Sequence, residues 1–173
     1  MDFQYLIFYT SLRLRFPDVE TNPGQHRPDP DVCRILCSTV RGLAGNLSEL
    51  TVASSQYDIV LCSETMVSDM RHVLEILVPG FGRPVLLCRV NMPRPRGMAA
   101  YVRDGYGAFR QPILECGCCE MLFFTVCGVR QNLYMFSLYP KHDLDDRIFD
   151  CLLTSMADVQ VEDIHPPSCL WVI

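Results

Sequence analysis

From Cys33 to Tyr139 the chain is a succession of short apolar runs, and this feature constrains its fold most. The runs are Cys33–Cys37, Asp58–Cys62, Val85–Val90, Met98–Arg103, Met121–Val126 and Leu133–Tyr139. Several are rich in Val, Ile, Phe or Tyr, and turn residues bound most of them, the pattern expected of strands. Between them Asn46–Ser54 and Ser68–Leu77 read as helices; Ser68 and Asp69 offer a start signal and Pro79-Gly80 a stop. In Asp145–Gln160 the residues Ile148, Leu152, Met156 and Val159 recur at three- and four-residue steps, which predicts a helix with one apolar face. Strands outnumber helices and the connections are mixed. The expected architecture is therefore a layered α/β or α+β fold.

At 173 residues the chain fits one domain, and 49% apolar with 20% charged residues is a globular balance. The net charge of −5 excludes an overall basic field that would gather nucleic acid. Contact with DNA or RNA is left to a local strip, Arg89, Arg94, Arg96, Arg103 and Arg110, for which a solvated loop is the better-supported reading. Ten cysteines look like a disulfide framework until their setting is read. Cys37, Cys62, Cys88 and Cys127 lie inside apolar runs, where free cysteine behaves as a small hydrophobe. The first basic residue, Arg13, follows the apolar start rather than preceding it, so no secretory signal is expected; reduced thiols in an intracellular protein are. Cys116, Cys118 and Cys119 lack the paired spacing and neighbouring histidine of a zinc site. The apolar segment Phe3–Tyr9 is too short to span a membrane.

Residues 1–32 form a leader and linker rich in Pro, Asp and Asn, without a repeating period. Within it, Asp18, Val19, Glu20, Asn22, Pro23 and Gly24 resemble the end of the 2A-like ribosome-skipping peptides, D-V-E-x-N-P-G-P. The resemblance implies an act of the nascent chain that depends on the final proline. Gln25 stands in that place, so skipping is expected to be lost. A plain Pro/Asn/Gly turn is the bland alternative.

Four strings carry a second resemblance: C-R-I-L-C-S-T-V-R-G-L, Y-D-I-V-L-C-S-E-T, R-G-M-A-A-Y-V-R-D-G and Y-M-F-S-L-Y-P. In this order and spacing they resemble the endonuclease/exonuclease/phosphatase superfamily, and within it the apurinic-endonuclease-like domain of non-LTR retrotransposon reverse transcriptases. The likeness covers residues 33–164 and implies an α/β (α+β) sandwich of which this chain holds the first half. It implies magnesium as the metal, DNA as the partner, and no small-molecule cofactor. Hydrolysing a phosphodiester needs a hard cation on the phosphate and fixed groups around its oxygens. By the resemblance Glu64, after the second strand, is a metal ligand. Thr39 stands where the family has a metal-site Asn, a departure that weakens the arrangement. Tyr139 matches a tyrosine that contacts the scissile phosphate; a strand aromatic with a bonded hydroxyl is the bland reading. Without the resemblance, Glu64 is an ordinary solvated carboxylate.

The family's next strings, G-D-x-N and S-D-H, are not found, and His26, His72, His142 and His165 sit in no such motif. Residues 165–173 read as a frameshifted tail. Taking the codons of Pro167–Ile173 one nucleotide earlier permits F-L-F-V-G-D, with the Gly forced by Trp171-Val172. On this reading the remaining sheet lacks its partner, exposing an apolar face and making the chain poorly soluble. The function expected is that of a catalytically silent copy of a DNA-nicking domain. A host-retained binding module and, less well matched, a phosphatase of the same superfamily are the alternatives.

Overall fold

The computed structural model describes residues 33–88, 97–115, 120–127 and 132–139, together with Asp150, Thr154, Leu170 and Trp171. The linker motif Asp18–Gly24, the cysteines 116, 118 and 119, and Arg89, Arg94 and Arg96 lie outside the described residues, as does most of the helix expected over Asp145–Gln160. Of that segment, Asp150 and Thr154 are helical, and the Thr154 hydroxyl donates to the Asp150 carbonyl at 2.9 Å.

Two sheets make up the fold. The first contains β1 (Ile35–Thr39), β2 (Ile59–Ser63), β3 (Val85–Cys88) and β4 (Gly97–Val102), in the order β1-β2-β4-β3. Strands β1 and β2 are parallel; β4 runs antiparallel to both β2 and β3. The second sheet holds β5 (Gly107–Arg110), β6 (Glu120–Cys127), β7 (Asn132–Tyr139) and β8 (Leu170–Trp171), in that order. Its centre is the antiparallel β6–β7 pair, in register from Glu120↔Tyr139 to Cys127↔Asn132, while β8 lies parallel to β7.

Alternation along each strand sorts the side chains into layers. Ile35, Ile59, Leu61, Val85, Leu87, Met98, Ala100 and Val102 of the first sheet meet Leu122, Phe124, Val126, Leu133 and Met135 of the second in one buried cluster. The opposite face of the first sheet buries Leu36, Val60, Cys62, Ala99 and Tyr101 against Leu43, Leu50, Val73 and Ile76 from the segments that cross it. There the Tyr101 hydroxyl donates to the Ile76 carbonyl at 2.8 Å, and its ring meets Phe81 edge-on at 6.4 Å. On the outer face of the second sheet the cross-strand partners Phe123 and Phe136 stack at 6.2 Å.

The expectation of an unpartnered sheet face is therefore overturned: the inner faces of both sheets are present and cover one another. Phe124, Leu122 and Met135 are each fully buried between them. The reading failed because strand β5, Gly-Ala-Phe-Arg, is too short and too mixed to register as an apolar run.

The helices also differ in detail. Helix α1 spans Leu47–Ser54, because the Asn46 side chain, the expected start, donates instead to the carbonyls of Val40 and Gly42 at 2.8 and 2.9 Å. Asp69 does cap the next segment, accepting from the Arg71 amide at 2.8 Å, but Met70–Ile76 is a 3-10 helix. Leu77 is already extended.

Arg103 and Arg110, the described members of the basic strip, are held internally. Arg103 donates to the carbonyls of Tyr57 and Ser55, lies 3.5 Å from the Asp58 carboxylate and covers the Phe81 ring. Arg110 forms a forked pair with Glu115 at 2.6 and 2.8 Å and donates to the Leu86 carbonyl of the first sheet. Both clamp loops and sheets together rather than presenting charge to a partner.

Candidate functional site

The direction of the strands decides which residues share an end of the sandwich. Arg103 and Asp58 mark one end, where β4 finishes and β2 begins. Strand β5 starts just beyond Arg103 and by Arg110 has reached Leu86, beside the start of β4. Strand β6 pairs antiparallel to β5, so it starts at the opposite end and β7 finishes there. That end holds Thr39 and Ser63 at the close of β1 and β2, Glu64 and Thr65 just after, Gly97 at the start of β4, and Glu120 beside Tyr139.

The loops at this end are held by backbone bonds that continue the β1–β2 ladder past its last residues. Val40 donates to the Ser63 carbonyl at 3.0 Å, Gly42 to that of Glu64 at 2.9 Å, and Leu43 to that of Thr65 at 2.8 Å. The Thr65 amide in turn donates to the Gly97 carbonyl at 3.0 Å. Three non-glycine residues in these two loops take left-handed backbone: Arg41 at φ 46°, Glu64 at 53° and Met66 at 56°. Each such residue costs on the order of 1 kcal/mol, and surrounding bonds must impose it. Strain of this kind gathers where a side chain is being aimed rather than packed. Gly97 allows the close approach beneath: a Cβ there would stand 2.7 Å from the Leu87 carbonyl and 2.9 Å from the Thr65 hydroxyl.

The three residues singled out from sequence are thus at one end of one sandwich. Glu64 is partly exposed, and Arg41 beside it is exposed. The Thr39 hydroxyl lies 3.0 Å from that of Ser63, its partner in register. The short hydroxyl is engaged across the strand pair, where the longer amide of an Asn would extend past it. Tyr139 is placed by its backbone, opposite Glu120.

Sequence reasoning missed Glu120. The strand expected over Met121–Val126 instead opens one residue earlier, at Glu120, which lies on the inner face and is 1% exposed. Thr65, 2% exposed, was missed as well. Only two buried side-chain atoms lack a hydrogen-bond partner among the described residues, Thr65 Oγ1 and Glu120 Oε1, and both are at this end. An acid directly before an apolar run was the available signal for Glu120.

Among the described residues no group of three or more His, Cys, Asp or Glu side chains is assembled to hold a metal. That excludes a closed zinc-type cage within those residues. A hard cation that keeps most of its water and takes one or two carboxylates is a better match to a single strand-end Glu with hydroxyls nearby. Two of the described thiols are poor ligands of this kind: burial pushes Cys37 up to about 11 and raises Cys62 further. No helix among the described residues is long and apolar enough to cross a membrane.

No protein-family model matches the sequence, and no curated protein matches it. Solved structures do match. The endonuclease domain of TRAS1, a telomere-specific non-LTR retrotransposon, is similar over 80% of this chain and 58% of its own, at 15% identity and a TM-score of 0.50. The AP endonuclease LMAP from Leishmania major is similar over 95% of this chain and 59% of its own, at 12% identity and a TM-score of 0.54. The likeness is one of fold: this is the two-sheet α/β architecture of endonuclease/exonuclease/phosphatase proteins. The chain spans less than two thirds of the length of either structure.

Proposed function

We propose that this chain corresponds to the first part of a retrotransposon-type endonuclease domain whose ancestral reaction is magnesium-dependent nicking of target DNA, and that these 173 residues alone do not turn over substrate. The observation that carries the proposal is the strained, left-handed Glu64 at the end of β2, at the sandwich end shared with Thr39 and Tyr139. The ordered strings around those residues and the fold of the TRAS1 endonuclease support it.

Glu64 would hold magnesium, with the Thr39–Ser63 hydroxyl pair beside it. Bound there, the ion would neutralise charge on a phosphodiester. Thr39 leaves that cation without the amide ligand of the family. Tyr139 would contact the phosphate. Water activation and leaving-group stabilisation have no assigned residue, since no G-D-x-N or S-D-H string occurs in the sequence. The Asp18–Gly24 motif is the trace of a 2A-like peptide that Gln25 has silenced.

The test pairs metal binding with nicking of supercoiled plasmid, for the wild type, Glu64→Gln and Thr39→Asn. Expected are weak Mn2+ binding lost in Glu64→Gln and strengthened in Thr39→Asn, and no nicking above the Glu64→Gln background. Binding indifferent to Glu64 would overturn the site. Nicking that depends on Glu64 would overturn the claim of silence.

A further inference from the structure

We propose that Glu120 and Thr65 belong to the same cation site as Glu64, as its inner wall; the proposal rests on the metal-site reading above and extends it to two residues to which that reading gave no role. Glu120 alternates along β6 with Leu122, Phe124 and Val126, all in the layer between the sheets, so its carboxylate is on the inner face. It is 1% exposed, and its Oε1 has no hydrogen-bond partner among the described residues. Thr65 is 2% exposed with Oγ1 in the same condition.

Buried polar atoms are almost always satisfied, and an exception calls for an unseen water or ion or a functional role. Here the two exceptions are not scattered. Both fall at the strand end that carries Glu64, one of them in the next residue along the chain. Chance placement at chain termini or loop tips does not explain Thr65. Its loop is tied on both sides, by the Leu43 amide to its carbonyl and by its own amide to Gly97.

The two atoms ask for complementary things. A hydroxyl both donates and accepts, and a water satisfies it. A carboxylate only accepts, and when buried it needs positive charge as well as donors. A hydrated divalent cation supplies both at once: charge to the carboxylate, and O–H donors from its water shell to either group. Magnesium-type ions bind through one or two carboxylates and retain water, so Glu64 and Glu120 suffice without a third acid.

The experiment uses the full 173-residue chain. Binding of Mn2+ is followed by the loss of the free-ion paramagnetic resonance signal and, independently, by the rise in melting midpoint. At ten times its dissociation constant Mn2+ should raise that midpoint by roughly 4 °C. Wild type, Glu64→Gln, Glu120→Gln and Thr65→Val are compared; the last two keep shape and remove only the charge or the hydroxyl. Expected are at least tenfold weaker binding in Glu120→Gln, a smaller but clear weakening in Thr65→Val, and loss of most of the melting shift in both. If Glu64→Gln weakens binding while Glu120→Gln and Thr65→Val bind like wild type, this inference is overturned and the Glu64 site stands. If the wild type binds no Mn2+, or Glu64→Gln leaves binding unchanged, the Glu64 reading falls and this inference with it. Should Glu120→Gln fail to fold, Thr65→Val decides alone: wild-type affinity there overturns the shared wall.

Discussion

The two sheets share a core yet are built to opposite specifications. In the second, β6 and β7 are eight residues each, antiparallel and paired along their whole length, with aromatic stacking on the outer face. In the first, no strand exceeds six residues, β1 and β2 run parallel, and the ladder spills past their ends into loops with left-handed Arg41, Glu64 and Met66. Local antiparallel pairing holds its own register. Parallel pairing must be enforced by what packs on and around it. The first sheet is thus the one whose ends can carry strain, because Asn46, Gly97 and the second sheet hold it from three sides. Long paired strands and backbone strain are thus divided between the sheets, with the strand ends as the meeting place.

Removing the shared layer is the severest way to break that division. Phe124 is fully buried, pointing from β6 into the first sheet. Phe124→Ala is expected to cost about 3–5 kcal/mol. Because both sheets contribute to that layer, the loss should appear equally in each. Native-state hydrogen exchange at Leu61 and Met135 would report it. Protection lost at Met135 alone would mean that the sheets are separate cooperative units.

Gly97→Ala strikes the first sheet only. The new methyl would sit 2.7 Å from the Leu87 carbonyl, a backbone atom that cannot rotate away, and against Thr65. A cost of about 3 kcal/mol is expected, the upper end for overpacking. Protection should fall in the Thr65 loop before it falls in β6 or β7. A variant as stable as wild type by urea denaturation would show that β3 and β4 can part without penalty.

A smaller effect tests the joint between the sheets. The Glu115 carboxylate accepts from Arg110 through both oxygens and from the Phe123 amide at 3.2 Å, while Arg110 reaches across to Leu86. Glu115→Gln turns one acceptor into a donor facing donors, and about 2 kcal/mol is expected. If its midpoint shift is additive with that of Gly97→Ala, the joint and the loop are independent; a deviation beyond about 0.5 kcal/mol would tie them.

Much of this division could be read in the residues, and the unreadable part has a physical cause. Cys33–Cys37, Asp58–Cys62 and Leu133–Tyr139 announced strands because continuous burial selects Val, Ile, Leu and Tyr, and Asp69 and Pro79-Gly80 announced a capped segment. Glu64 was legible as an acid at a strand end. Strand β5 was not, since Gly107–Arg110 is only partly buried and alternates small, aromatic and charged residues to suit an edge. Glu120 stands just before the apolar run Met121–Val126. Its place on the inner face follows from its position opening β6, in alternation with Leu122, Phe124 and Val126. Thr65 is silent, because what makes it notable is the backbone of Gly97 arriving from elsewhere in the chain.

The mildest expected effect concerns protons in the first sheet. Burial between the sheets lifts the Cys37 thiol from 9.0 to about 11, and burial raises Cys62 and the bonded Tyr101 hydroxyl too. Each group keeps its proton in the native state after the unfolded chain has begun to release its own. Their contribution is therefore whole below pH 9, and for Cys37 it declines progressively as pH rises from 9 towards 11, each step shifting the balance towards the unfolded state. Cys37→Ala removes one of these groups and should make the fall in urea midpoint between pH 8 and pH 10.5 shallower, while Cys62 and Tyr101 keep it from vanishing. An unchanged fall would mean that Cys37 ionises as readily in the folded chain as in the unfolded one. The space between the sheets would then be open to water at the end where Thr39, Glu64 and Glu120 stand.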